Sequence, residues 1–313
     1  MRYKLCVPPL KQVGDRCDPT SLAEAAIESL VLCILGRCWT GFDVSVHVVQ
    51  TTTCCLHVNH SINMDRWQGR VALVTGASMG VGEASVKLLA SHGMKVVACA
   101  RSEDKLKKLS DGVTSSGRGE VLPIKVDLRK QDEILVMFEK IKGQWGGVDV
   151  CINNAGLALD APIIDGDSEQ WNNMWEVNVM ALCLCTRESV KSMRERGVDD
   201  GHIININSLS GHRVGKSHFY SATKYAVTSL TEGTRWELRG INSHIRVTSI
   251  SPGLIKTHFA ETMLGDAKAA EEVYASRQAL TAEEMAQTIE FVLAAPPTVQ
   301  VSELMVRPTE QVV

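Results

Sequence analysis

Aromatic side chains are scarce in this 313-residue chain, at 5%, and only four residues are tyrosine, so any tyrosine with a deliberate partner stands out. Long hydrophobic runs are lacking too. No window reaches the ~18 consecutive apolar residues of a membrane span, and the apolar stretch 29–35 is far too short for one. There is no strong excess of one charge: 33 basic residues face 36 acidic ones, for a net charge of −3. That excludes nucleic acid and anionic lipid as principal partners, because both select a basic surface. With 44% hydrophobic and 22% charged residues, disordered and fibrous classes are excluded as well. Cysteine is nearly missing from the body of the chain. Six of the ten cysteines fall in the first 55 residues, and Cys99, Cys151, Cys183 and Cys185 sit in apolar runs where a thiol acts as a small hydrophobe. No signal-peptide pattern opens the chain, so the expected setting is intracellular and cytoplasmic.

Residues 1–66 lack a sustained period of 2 or 3.6 and read as an N-terminal extension, disordered or poorly packed, on a domain covering 67–313. Its acidic residues, Asp15, Asp18, Glu24, Glu28 and Asp43, argue against a mitochondrial presequence. Cys54, Cys55, His57 and His60 carry zinc-type ligand atoms, but their spacing fits no zinc module, and no metal site is expected. Met64 stands directly before the first recognisable strand.

From there strands and helices alternate. The apolar run Val71–Val74 enters the glycine turn Thr75-Gly76-Ala77-Ser78-Met79-Gly80-Val81-Gly82, and Glu83–His92 reads as a helix. Glycines let a backbone approach a pyrophosphate whose charge sits on helix N-terminal N–H groups. Further strands are expected at 95–100, 121–126, 148–152, 202–206 and 246–251, with helices at 134–142, 171–196, 219–239 and 282–293. This alternation predicts an α/β fold with a doubly wound parallel sheet of Rossmann type, its ligand crevice at the strand C-terminal ends.

Tyr220 and Lys224 stand at i, i+4 and share a helix face; the other three tyrosines lack that lysine. An ammonium beside a phenol lowers its pKa from ~10 toward neutrality, giving a group that exchanges a proton with a carbonyl or alcohol oxygen. Ser208, at a strand end twelve residues earlier, offers a hydroxyl to the same oxygen. After the second strand, where an NAD enzyme wants a carboxylate on the ribose 2′-hydroxyl, stand Ala100, Arg101 and Ser102. Arg101 and Ser102 suit a 2′-phosphate, which predicts NADP(H). The competing reading puts Glu103 or Asp104 on the ribose.

Together, T-G-x-x-x-G-x-G at 75–82, N-N-A-G at Asn153 to Gly156, Ser208, Tyr220-x-x-x-Lys224 and Pro252-Gly253-x-x-x-Thr257 identify residues 70–313 as similar to the short-chain dehydrogenase/reductase family. The resemblance implies Tyr220 as acid/base, Lys224 as its partner and ribose ligand, Ser208 as substrate-orienting group, and Asn178 as anchor of a relay water. It also implies that Gly76, Ser78, Met79, Gly80, Val81 and Gly82 hold the dinucleotide. Asp127 and Leu128 would face adenine and Asn154 the adenosine ribose. Pro252 and Gly253 would belong to the cofactor site, and Ile255 with Thr257 would hold the nicotinamide carboxamide.

The leading expectation is an NADP(H)-dependent carbonyl reductase or alcohol dehydrogenase for a lipophilic ketone, aldehyde or alcohol, steroid-like or farnesol-like. The alternatives are a broad xenobiotic carbonyl reductase, a 3-oxoacyl reductase, or a dinucleotide-sensing protein without turnover. Residues 254–279 are expected as a lid, with Phe259, Met263, Leu264 and Tyr274 as apolar groups toward the substrate. The loop between Arg213 and Tyr220 is shorter than the resemblance leads one to expect. A homo-oligomer, dimer or tetramer, is expected through the helices at 172–196 and 219–239, with Trp175, Leu182, Leu184 and Trp236 as apolar surface.

Overall fold

The computed structural model describes residues 63–311 apart from 118 and 277; the expected extension up to residue 62, with its Cys54–His60 cluster, lies outside the described residues. Seven parallel strands form one sheet in the order β3-β2-β1-β4-β5-β6-β7. They span β1 Val71–Thr75, β2 Lys95–Ala100, β3 Glu120–Lys125, β4 Val150–Asn153, β5 His202–Ile206, β6 Arg246–Pro252 and β7 Glu303–Val306. β1, β4, β5 and β6 are buried at every position, because helices cover both faces and leave no side for polar alternation. β3, at the sheet edge, is buried only at Val121 and Ile124 and otherwise partly or fully exposed.

The crossover helices are α1 Gly80–Ser91, α2 Glu103–Ser115, α3 Gln131–Trp145, α4 Ser168–Trp175, α5 Ala181–Glu195, α6 His218–Gly240 and α9 Ala282–Ala294; two short ones, α7 Phe259–Leu264 and α8 Ala267–Ser276, follow β6. One face of the sheet packs on α1, α2 and α9 through Val86, Leu89, Leu106, Met285 and Ile289. The other packs on α3, α5 and α6 through Ile134, Ile141, Cys185, Met193 and Leu238. The order reverses between β1 and β4, so the crevice opens beyond their C-terminal ends.

The structure corrects the sequence reading in several places. The segment expected as one helix over 171–196 is α4, a π-helical turn Glu176–Met180, and α5. Helix α1 begins at Gly80, inside the glycine turn, three residues before the expected start. β7 was not anticipated: Glu303, Met305 and the partly exposed Leu304 make a short edge strand with a weak apolar signal. Leu182 is buried and Leu184 packs into the core, so neither offers interface surface, whereas Trp175 and Trp236 are exposed.

Residues at the expected extension's end are integral to this body. Met64 and Trp67 are buried, and Trp67 donates its indole N–H to Leu293 O at 2.9 Å. Arg66 and Arg70 lie over the Trp67 ring at 4.5 and 5.4 Å, and both pair with Asp200. Asp149, at the start of β4, is buried and accepts from Val71 N at 2.8 Å, with Arg196 at 3.0 Å and Arg70 at 3.4 Å. A buried carboxylate needs such partners to offset its desolvation.

Candidate active site

The glycine turn joins β1 to α1 and is shaped by contacts that only glycine permits. Gly76 has φ +66°, and a Cβ there would stand 2.9 Å from Ala155 Cα; a Cβ on Gly82 would stand 2.4 Å from Gly76 O. The first N–H groups of α1 precede any intrahelical partner and no side chain caps them, which fits a dinucleotide's diphosphate. Ser78 and Met79 are half-buried in the turn, while the Val81 side chain is buried and leaves only its backbone to a ligand. Asn154 braces the turn from β4: its side-chain amide donates to Thr75 O at 2.8 Å and Gly76 O at 3.3 Å, and its N–H donates to Thr75 Oγ1.

At the end of β2, Arg101 and Ser102 are exposed at the mouth of the crevice. Glu103, one of the rival ribose ligands, turns toward Lys125 at 3.6 Å. Asp127 is held by Arg129 in a fork of hydrogen bonds at 2.9 and 2.5 Å; these, with Arg101 adding to them, keep its carboxyl well down, at about 2. Leu128 is buried, so its side chain belongs to the core. A cleft of about 750 Å³ beside the turn is lined by Ser78, Met79, Lys87, Lys105, Lys108 and His258.

On the far side of the crevice α6 carries Tyr220 and Lys224, both buried. The expected lowering of the phenol pKa is not what this arrangement produces. Burial pushes Tyr220 up to about 12, with the Ser208 hydroxyl pulling the other way, and burial brings Lys224 down to about 8. The lysine exerts little pull because Nζ lies 5.7 Å from the ring centroid and donates to Ile206 O at 2.9 Å. Ser208 starts a tight turn after β5, its Oγ accepting from Ser210 N at 3.0 Å. Asn178 is fully bonded: its Oδ1 accepts from Leu157 N at 2.9 Å, and its Nδ2 donates to Leu157 O at 2.8 Å and Thr223 Oγ1 at 3.0 Å. A Cβ on Gly156 would stand 3.4 Å from Asn178 Oδ1 and 3.7 Å from Lys224 Nζ, so the two groups converge over that glycine.

Beyond the strand ends, Ile255 pairs with Leu280, and Thr257 approaches the glycine turn, its Cγ2 3.1 Å from where a Cβ on Gly80 would be. Gly253 N–H donates to Val306 O, which continues the β6–β7 ladder past Pro252. Phe259 of α7 lies 5.7 Å from the Tyr220 ring, and Trp171 stacks on Phe219 at 5.7 Å. With Leu159, Met174 and Met263 they form an apolar cluster around the Tyr220 ring. Ser217 Oγ, in the short loop before α6, donates to Leu159 O at 3.2 Å.

Sequence reasoning missed two groups here. His212 Nε2 lies 2.7 Å from Glu303 Oε1 and 3.0 Å from Ser251 Oγ, tying the Ser208 turn to β6 and the unforeseen β7. Beneath the crevice, Asn153 donates to Thr186 Oγ1 and Asn205 Oδ1, and Asn205 donates to Thr231 Oγ1, a buried polar ladder between β4, β5 and their helices. The N-N doublet and the polar positions inside β5 were its only sequence signal.

Known proteins share this arrangement. The profile of the short chain dehydrogenase family matches residues 70–268. Dehydrogenase/reductase SDR family member 11 from Gallus gallus is 55% identical over 254 residues, covering 80% of this chain and all of the relative. Farnesol dehydrogenase from Aedes aegypti is 39% identical over 249 residues, 78% of this chain and 98% of the relative. Among solved structures, the closed form of serine dehydrogenase complexed with NADP+ superposes with a TM-score of 0.71 at 33% identity, covering 77% of this chain and 96% of its own.

Proposed function

Because the chain belongs to the short-chain dehydrogenase family, we propose that it is an NADP(H)-dependent oxidoreductase that interconverts a ketone or aldehyde with the corresponding alcohol on a lipophilic substrate, steroid-like or farnesol-like. One observation carries this reading: Tyr220, the tyrosine with the lysine partner, has its ring inside an apolar cluster while its helix carries Lys224 toward Asn178 and Gly156. When bound, NADPH would supply the hydride in the reductive direction and NADP+ would accept it in the oxidative one. Tyr220 gives its proton to the carbonyl oxygen; a phenol held at about 12 is fully protonated at neutral pH, which suits the reductive direction. Ser208 donates a second hydrogen bond to that oxygen. Lys224 contributes positive charge and a ribose contact, and Asn178 fixes the backbone of Leu157 at the relay end.

Arg101, exposed where the ribose 2′-position would fall, supports NADP(H), as does the NADP+ in the serine dehydrogenase complex. With Glu103 turned to Lys125, the Glu103 form of the rival carboxylate reading loses ground. Phe259, Met263, Phe219 and Trp171 support a lipophilic substrate, as does the mosquito farnesol dehydrogenase. The exposed Trp175 and Trp236 support a homo-oligomer; among the described residues no helix is long and apolar enough to cross a membrane. The test is a panel of steroids, terpenoid alcohols, aldehydes and small ketones followed at the reduced-nicotinamide band, with kcat/KM compared for NADPH and NADH. Turnover of lipophilic carbonyls with a preference for NADPH is the expected result. A preference for NADH, or activity confined to small polar substrates, contradicts the reading.

A further inference from the structure

Tyr274 was expected to face the substrate as one more apolar group, and its hydroxyl is engaged elsewhere. It sits on α8 and reaches back to the strap that follows β6, lying 2.8 Å from Thr257 O, 3.1 Å from Ile255 O and 3.3 Å from Thr257 N. A phenol has one proton, so the bond goes chiefly to the nearer Thr257 O with Ile255 O sharing it, and the phenol oxygen accepts from the Thr257 N–H. The strap's near end is held separately. Leu280 N–H donates to Leu254 O at 2.9 Å, Lys256 N–H donates to Leu280 O at 2.8 Å, and Leu254 N–H donates to Gln311 Oε1 at 3.0 Å. The far end, at Thr257, is held to α8 by the Tyr274 hydroxyl, which also reaches Ile255 O. That end meets the glycine turn, where Thr257 Cγ2 approaches the Gly80 position. Thr257 Oγ1 also accepts from Phe259 N at 3.3 Å, and Phe259 lies against Tyr220.

We propose that Tyr274 is a positioning residue whose hydroxyl clasps the Leu254–Thr257 strap against the Gly80 turn and so sets how fast the bound dinucleotide leaves. The proposal rests on the NADP(H) reading above. The strap and the turn flank the crevice, so a dinucleotide lying on the turn departs only when Thr257 moves away from Gly80. That movement breaks the hydrogen bonds to Tyr274. The ring of Tyr274 fills space whether or not the hydroxyl is present, so Tyr274→Phe separates clasp from packing.

The experiment is stopped-flow dissociation of NADPH, followed by its fluorescence, for wild type and Tyr274→Phe, with hydrogen exchange at the Thr257 amide as a second reading on the cofactor-free protein. The clasp requires NADPH to leave Tyr274→Phe at least threefold faster. The KM for NADPH should rise with it while kcat moves by less than twofold, and the Thr257 amide should exchange faster. A dissociation rate within threefold of wild type overturns the clasp, even where the variant is less stable. A wild-type protein that binds no NADPH removes the cofactor reading and the clasp with it.

Discussion

At the scale of single residues, the pair on α6 shows how burial and charge compete. Tyr220 and Lys224 are so enclosed that desolvation moves each toward its neutral form, the phenol up to about 12 and the ammonium down to about 8. The i, i+4 spacing announced that the two share a face, but not that Nζ would turn to Ile206 O; that depends on β5, distant in sequence. Replacing Tyr220 by Phe removes the proton and leaves the packing, so turnover should fall by about 10²–10⁴-fold with NADPH binding nearly intact. Lys224→Met should damage both, and fluorescence titration beside steady-state kinetics separates the two outcomes. His202 provides a stability prediction. Its Nε2–H donates to Thr248 Oγ1, whose own proton goes to Val301 O, so Nδ1 is the bare nitrogen of a neutral ring. Burial, then Arg246 and Arg66, hold its pKa well below 6.5. The unfolded chain takes up a proton below about 6.5 that the folded chain refuses, so this contribution is complete above 6.5 and is lost as pH falls. Between pH 6.5 and 5.5 the unfolding free energy should drop more steeply in wild type than in His202→Gln, by up to about 1.4 kcal/mol per pH unit, read from urea melts.

At the scale of elements, the π-helical turn Glu176–Met180 interrupts what would be one long helix, and Asn178 stands inside it. The extra residue re-aims the helix face, so Asn178 meets Leu157 and Thr223 while α4 and α5 each keep their own apolar side. No sequence period announces such a turn, since one inserted residue does not disturb a 3.6-residue pattern enough to be seen. β7 was illegible for another reason: four residues at a sheet edge bury too little to need an apolar run. Helices α6 and α9 were read to within a residue because their apolar stripes are local; the Thr281–Glu284 capping box starts α9. Asn178→Ala leaves the Leu157 N–H and carbonyl without their buried partner, at a cost of about 1–3 kcal/mol. Activity should fall further than that stability loss explains, and a variant destabilised yet fully active would contradict the role given to the turn.

At the scale of the whole molecule, residues 64–70 are anchored into the folded body. Met64 and Trp67 are buried, and Arg66 and Arg70 pair with Asp200. No sequence signal measures how firmly Trp67 is held, because its acceptor, Leu293 O, lies 226 positions away. A chain beginning at Met64 should fold and turn over like the full chain. One beginning at Val71 loses the buried indole, and a large-to-small loss at such a site costs about 3–5 kcal/mol. Circular dichroism melts of the two chains test this, and equal melting temperatures would show that residues 64–70 contribute nothing.

The bond between Trp67 and Leu293 also governs the order in which this protein can come into being. Synthesis proceeds from the N-terminus, so the indole emerges long before its acceptor, and Arg246 waits in the same way for the carbonyls of Leu293, Ala295 and Val299. β1 is likewise made before β4, its neighbour at the centre of the sheet. During translation the nascent chain can pair β1 with β2 and β4 early, yet it holds an unburied tryptophan until nearly its last helix has left the ribosome. Such a body closes late and all at once, and a ribosome stalled before codon 293 would hold a chain open to chaperones and proteases.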